Sequence, residues 1–193
     1  NNWYKGIENG TTSHAVWTSS GTLKVFTDGA HKEGKGGIGI CSSQLEIEER
    51  FKVEDGATIF QCEMGAIKTA AQLLSREGIR GKFVLIGTDC LNAVKALGKR
   101  EVKSRTTMEC REALNSLSSL NEVWVAWTPK REEIEGNIRA DTLAREALAI
   151  DGLETKTVPC TIRRLKEGMT LAVKGVKKME WHMSAGNVHA KVL

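Results

Sequence analysis

The run LKVFTDG, residues 23–29, constrains the fold more than any other stretch of this chain. Leu23, Val25 and Thr27 alternate with Lys24, Phe26 and Asp28 in a β-rich segment closed by glycine, which is the period of a strand and not of a helix. It therefore brings a carboxylate to the end of a strand. An unpaired charge at a sheet is costly to desolvate, so Asp28 needs hydrogen bonds or a metal ion. Read alone, Asp28-Gly29 is an ordinary turn pair. Three further acids, each at the edge of its own predicted element, argue for something else.

The residues that follow supply the rest of a sheet. GGIGICSS comes after a Gly/Lys-rich turn at 34–37, and QLEIEERFKV alternates Leu45 and Ile47 with Glu46 and Glu48, so three strands in quick succession make an antiparallel meander. From Thr58 the period changes. Ile59, Cys62, Ala66, Ile67, Ala70, Leu73 and Leu74 recur at three and four, an amphipathic helix ended by Gly78. KFVLIGTD is a short buried strand that again ends in a carboxylate, Asp89. CLNAVKALG and TTMECREALNSLSSL read as helices and EVWVAWT as a second buried strand, with Trp124 and Trp127 taken as core packing. Residues 137–150 close the pattern as a helix whose Ile138, Leu143 and Ala147 face the sheet. The order predicts an α/β fold: a mixed five-stranded sheet, three strands in an antiparallel meander plus two parallel strands, flanked by helices.

At 193 residues the chain can bury one good core. Residues 1–21 are polar and read as a linker, 22–150 as the domain, and 151–193 as a basic tail. That tail holds eight Lys/Arg against four acids, which accounts for the whole net charge of +4 and points to a polyanionic partner near it. RRLKEGMTLAVKGVKKMEWHM within it suits either a helix with Leu165, Met169, Ala172, Val173, Val176 and Met179 on one stripe, or a segment that folds only on a partner. The chain begins without Met, which suggests a piece of something longer, and it has no signal-peptide plan. No apolar run approaches the roughly 18 residues of a membrane helix. Five scattered cysteines, never spaced Cys-x-x-Cys, read as reduced thiols of an intracellular protein of nucleus or cytoplasm, with neither a zinc site nor a disulfide framework.

Asp28 and Asp89 end predicted strands, and if those strands are parallel neighbours both carboxylates emerge at one edge. Glu63 lies one turn into the first long helix, beside its buried stripe; Asp141 lies one turn into the last, where a helix N-terminus favours an anion. Four carboxylates brought together would repel and protonate. Divalent cations remove that difficulty. Mg²⁺ takes oxygen ligands and keeps open positions for substrate phosphate, and two such ions suit in-line hydrolysis of a phosphodiester.

FTDGA, IFQCEMGAI, IGTDCLNAVKAL and WTPKREEIEGNIRADTLAREA, in this order over roughly residues 22–150, resemble the four motifs of the ribonuclease H family. The second and fourth are most similar to ribonuclease H domains of non-LTR retrotransposon polyproteins, in which a reverse transcriptase precedes the domain. The resemblance implies that Asp28, Glu63, Asp89 and Asp141 are the catalytic, metal-binding set. It implies two Mg²⁺ ions, replaceable by Mn²⁺, and the RNA strand of an RNA–DNA hybrid as substrate. Gly29, Gln61, Cys90 and Arg131 are the expected substrate contacts: Gly29 for close approach of a phosphate or ribose, Gln61 for a groove edge, and Arg131 for a phosphate.

One position departs from the family. Lys130 and Arg131 follow WTP where Gly-His is usual, and no other histidine lies nearby in the sequence. General acid–base help is worth roughly 10²- to 10⁴-fold. Its loss should slow turnover without abolishing metal-dependent cleavage. A catalytically weak module that binds or tethers hybrid is the alternative. Lys95, Lys99, Arg100, Lys103, Arg105 and Arg111 offer a path for the nucleic-acid backbone, against a solvated helix end.

Overall fold

The computed structural model describes residues 21–129, 134–160 and 162–184. The chain divides into two compact units, the first running to Val158 and the second from Pro159.

In the first unit β1 (Thr22–Lys32) pairs antiparallel with β2 (Lys35–Ser42), which pairs antiparallel with β3 (Ile47–Val53). β1 continues past Asp28 to Lys32, longer than the sequence pattern predicts, because Glu33 and Gly34, at φ of 52° and 82°, make the two-residue hairpin turn. Positive φ at both central positions suits the right-handed twist of paired strands. Asp28-Gly29 is therefore not a turn: Asp28 stands opposite Gly39 within the ladder.

Helix α1 (Ile59–Arg76) follows. Thr58 caps it by a reciprocal box, accepting from the Gln61 N–H while the Gln61 carboxamide oxygen accepts from the Thr58 N–H. Met64, Ile67 and Leu74 are fully buried, each worth about 1.5–3 kcal/mol relative to exposure. β4 (Phe83–Thr88) and β5 (Glu122–Trp127) add parallel strands beside β1, separated by α2 (Leu91–Gly98) and α3 (Arg105–Ser118). Helix α4 (Glu135–Ala149) closes the order.

An unanticipated strand, β6 (Thr155–Lys156), is two residues long and lies parallel to β3, too short to carry any periodicity. Among the described residues the sheet then has six strands, in the order β5-β4-β1-β2-β3-β6. Strand β6 is held by Lys52 N–H to Glu154 O at 3.0 Å, by Glu54 N–H to Lys156 O at 3.1 Å, and by the Lys156 ammonium 4.2 Å from the Phe51 ring centre.

Alternation along the strands divides the core between two faces. Val25, Ile38, Ile40, Val84, Ile86, Val123 and Val125 pack with α1, α2 and α3; Phe26, Leu85 and Ala126 pack with Ala140 of α4. Helix α4 sits directly on the β2 backbone. A Cβ at Gly39 would lie 2.0 Å from Ala140 O, so only glycine admits this approach. Ala140, Leu143, Ala144 and Ala147 face inward, whereas Ile138 is 53% exposed, contrary to expectation, since the helix starts at Glu135 and its stripe is set by the contact with β2.

Among its described residues the second unit holds one helix, α5 (Ile162–Ser184), with the helical form expected of the tail. No helix among the described residues is long and apolar enough to cross a membrane.

Candidate active site

Thr27 of β1 pairs in parallel with Thr88 of β4, so the next residue of each segment, Asp28 and Asp89, lies where the β1–β4 pairing ends. Asp89 follows the last residue of β4 instead of ending it. The Thr27 hydroxyl donates to Gly87 O at 3.0 Å, which locks the two strands just before the acids. Two further bonds shape the turn after β4: Trp127 Nε1–H donates to Asp89 O at 3.0 Å, and Cys90 N–H donates to Thr88 Oγ1 at 3.2 Å.

Helix α1 brings the third carboxylate. Glu63 is 7% exposed, and its Oε2 accepts from the Gly29 N–H at 3.1 Å. The helix reaches that position only because residue 29 has no side chain: a Cβ there would lie 2.4 Å from Glu63 N and 2.6 Å from Cys62 C. The expected close approach at Gly29 is thus made, on its Cβ side, by the helix backbone.

Asp28, Glu63 and Asp89 each place one carboxylate oxygen within 4.8 Å of the others. Their charge is felt nearby. Burial first, and the Glu63 carboxylate second, push the Cys62 thiol up to about 12 and the half-buried Cys90 thiol upward as well. Three hard oxygen donors from three separate segments fit an oxygen-seeking divalent cation and leave room for further ligands.

Asp141 stands apart from this close cluster but lines the same cleft. The cleft, of about 470 Å³, is bordered by Asp28, Gly29, His31, Glu63, Asp141 and Arg145. Asp141 occupies the second turn of α4, beyond the first turn in which a helix terminus acts on a charge, so the expected dipole support is replaced by Arg145 one turn on, at 3.0 Å. His31, not singled out from the sequence, is distant along the chain from Arg131 but lines the cleft. No local pattern in the sequence announces it: β1 runs four residues beyond Asp28, to Lys32, and that extension brings His31 to the cleft.

The expected substrate contacts separate. Gly29 lines the cleft and Cys90 is half-buried at the turn after Asp89. Gln61 is 4% exposed, with its carboxamide oxygen engaged in the α1 cap. Arg131 lies outside the described residues. Part of the basic path is structural: the Arg111 guanidinium donates to Leu97 O at 2.6 Å and also to Lys99 O, and Arg105 pairs with Glu109 at 3.1 Å. Lys95, Lys99, Arg100 and Lys103 remain exposed. Trp124 packs tilted against Phe83 with ring centres 5.6 Å apart.

A family model described as RNase H matches residues 20–149. Among solved structures the chain is similar to RNase H1 from the halophilic archaeon Halobacterium salinarum NRC-1, at a TM-score of 0.52 and 22% identity, over 67% of this chain and 98% of that one. No curated protein sequence matches the chain.

Proposed function

Because this chain belongs to the ribonuclease H family of divalent-metal-dependent enzymes that cleave RNA in RNA–DNA hybrids, we propose that Asp28, Glu63, Asp89 and Asp141 are its catalytic set, acting with two Mg²⁺ ions that Mn²⁺ can replace. The observation that carries this reading is the approach of three carboxylates to within 4.8 Å, from β1, α1 and the turn after β4.

When bound, the ions supply an activated water and stabilise the leaving oxygen of an in-line displacement. Asp28, Glu63 and Asp89 would hold them. The Gly29 N–H orients the Glu63 carboxylate, and Trp127 holds the Asp89 main chain. Asp141, tethered by Arg145, adds a fourth carboxylate at the cleft rim. A hybrid is recognised by shape, backbone and 2′-hydroxyls more than by sequence. Gly29, Gln61, Cys90 and Arg131 are proposed as substrate contacts, Gln61 also capping α1 through its carboxamide oxygen.

The wording of the second and fourth motifs supports a retroelement origin, with a reverse transcriptase covalently upstream and action in nucleus or cytoplasm. Lys130-Arg131 in place of Gly-His is the one feature that favours a weakly catalytic binding module.

Asp89→Asn tests the assignment. Neutralising one of three crowded carboxylates relieves repulsion, so the variant should melt higher than wild type without metal and gain less from added Mg²⁺. Cleavage of a labelled hybrid should fall by more than about 10²-fold, beyond what loss of a group supporting a ligand costs. Absence of Mg²⁺-dependent cleavage by the wild type would leave the binding module as the reading.

A further inference from the structure

Helix α5 exposes a continuous apolar seam. Leu165, Met169, Val176 and Met179 are 55%, 68%, 53% and 62% exposed, with Ala172 on the same line. Their spacing of four, three, four and three is the a/d repeat of a coiled coil, and in the sequence it reaches back to Ile162 and on to Met183. A helix in a protein draws most of its stability from packing its apolar face, and Gly168 and Gly175 weaken this one further. The face is built to be covered.

We propose that the occupant is a second copy of this chain, and that two α5 helices pair antiparallel about a two-fold axis near residue 174. The flanking residues select this arrangement. Residues 166, 173 and 180 form one edge of the seam, with Lys, Val and Glu; residues 168 and 175 form the other, both Gly. In a parallel pair, Gly168 would face Val173 and Gly175 would face Glu180, which matches no opposite charges. In an antiparallel pair whose core layers set Met169 against the partner subunit's Met179, and Ala172 against the partner subunit's Val176, the first edge meets itself. Lys166 then lies beside the partner subunit's Glu180, and Glu180 beside the partner subunit's Lys166. Val173 meets its own copy. Gly175 falls beside its copy near the axis, so no side chain holds the backbones apart. An isologous contact of this kind repeats each favourable pair. Lys174, Lys177 and Lys178 lie off the seam, leaving a positive outer surface on the paired helices. This reading is independent of the catalytic assignment.

Sedimentation equilibrium of the full chain across micromolar concentrations tests it. Wild type should be a concentration-dependent dimer, and Val176→Glu should be monomeric while cleaving hybrid as wild type does. Lys166→Glu and Glu180→Lys should each weaken association by about tenfold, because two exposed pairs become repulsive. Together, in one chain, the two reversals should restore it. A monomeric wild type overturns the proposal. So does association that appears only when hybrid is added, which would assign the seam to nucleic acid. Equal association of single and double reversals would refute the antiparallel register.

Discussion

Gly29→Ala isolates the contact that sets Glu63. Residue 29 is not among the positive-φ positions, so alanine meets no backbone strain there. All of its effect comes from space. The new Cβ would sit 2.4 Å from Glu63 N and 2.6 Å from Cys62 C, main-chain atoms that cannot rotate aside, and ordinary contact begins near 3.4 Å. Helix α1 or strand β1 must therefore move by about 1 Å. Overpacking of this kind costs about 1–3 kcal/mol, and the smaller unfolded-state entropy of alanine returns about 0.4–1 kcal/mol. A net loss of about 1–2 kcal/mol should appear as a lower urea midpoint. The movement also pulls the Glu63 carboxylate from the Gly29 N–H, and a 1 Å misplacement costs about 10²-fold in rate. Cleavage of a labelled hybrid should fall by that much while circular dichroism stays native. Gly65→Ala is the control: on the same helix, its Cβ would meet only Ile38 Cδ1, at 3.1 Å, and it should be nearly neutral. Wild-type urea midpoint and cleavage in Gly29→Ala would refute the argument that this apposition places Glu63.

Trp127→Phe removes the indole donor to Asp89 O. Urea denaturation should show a loss of about 1 kcal/mol, and the cleavage rate should drop with little change in KM, since the turn carrying Asp89 is loosened. A third prediction concerns pH. The Arg139 hydrogen bond, and then its charge, hold Glu48 below its ordinary value of 4.5. Because the folded value is the lower one, the stabilisation is complete above pH 4.5 and disappears as pH falls through the folded value. Glu48→Gln should therefore match wild type most closely at the acid end of a stability profile and fall below it on approach to neutrality; a constant offset across pH would contradict this.

Much of the architecture was readable from local pattern. Period-two runs announced the meander, a switch to three and four at Thr58 announced α1, and two short β-branched runs announced the parallel strands. Those runs are where hydrophobic burial has one solution. The approach of Asp28 to Asp89 was readable only on condition that their strands are parallel neighbours, and the β1–β4 ladder meets that condition. Two details of the ends were not readable. Glu33-Gly34 makes the turn, one residue ahead of the expected 34–37 run, whose Lys35–Gly37 already belong to β2, and β1 runs on to Lys32, which carries His31 to the cleft rim. Both sequences are credible turns in isolation, and only the ladder with β2 chooses between them.

The sequence by itself determined which residues are acidic, the strand and helix periods that carry them, and a tail whose apolar residues keep heptad spacing. Tertiary structure decided what each residue is for. It made Gly29 a seat for a helix and tied Gln61 to the cap of that helix. It took Asp141 out of the reach of its helix terminus and gave it Arg145. It also recruited residues 155–156 as a sixth strand. The physical reason is range: period and propensity act over a few residues along the chain, whereas a backbone-to-backbone approach of a few ångströms between positions 29 and 63 exists only once the sheet and its helices have packed.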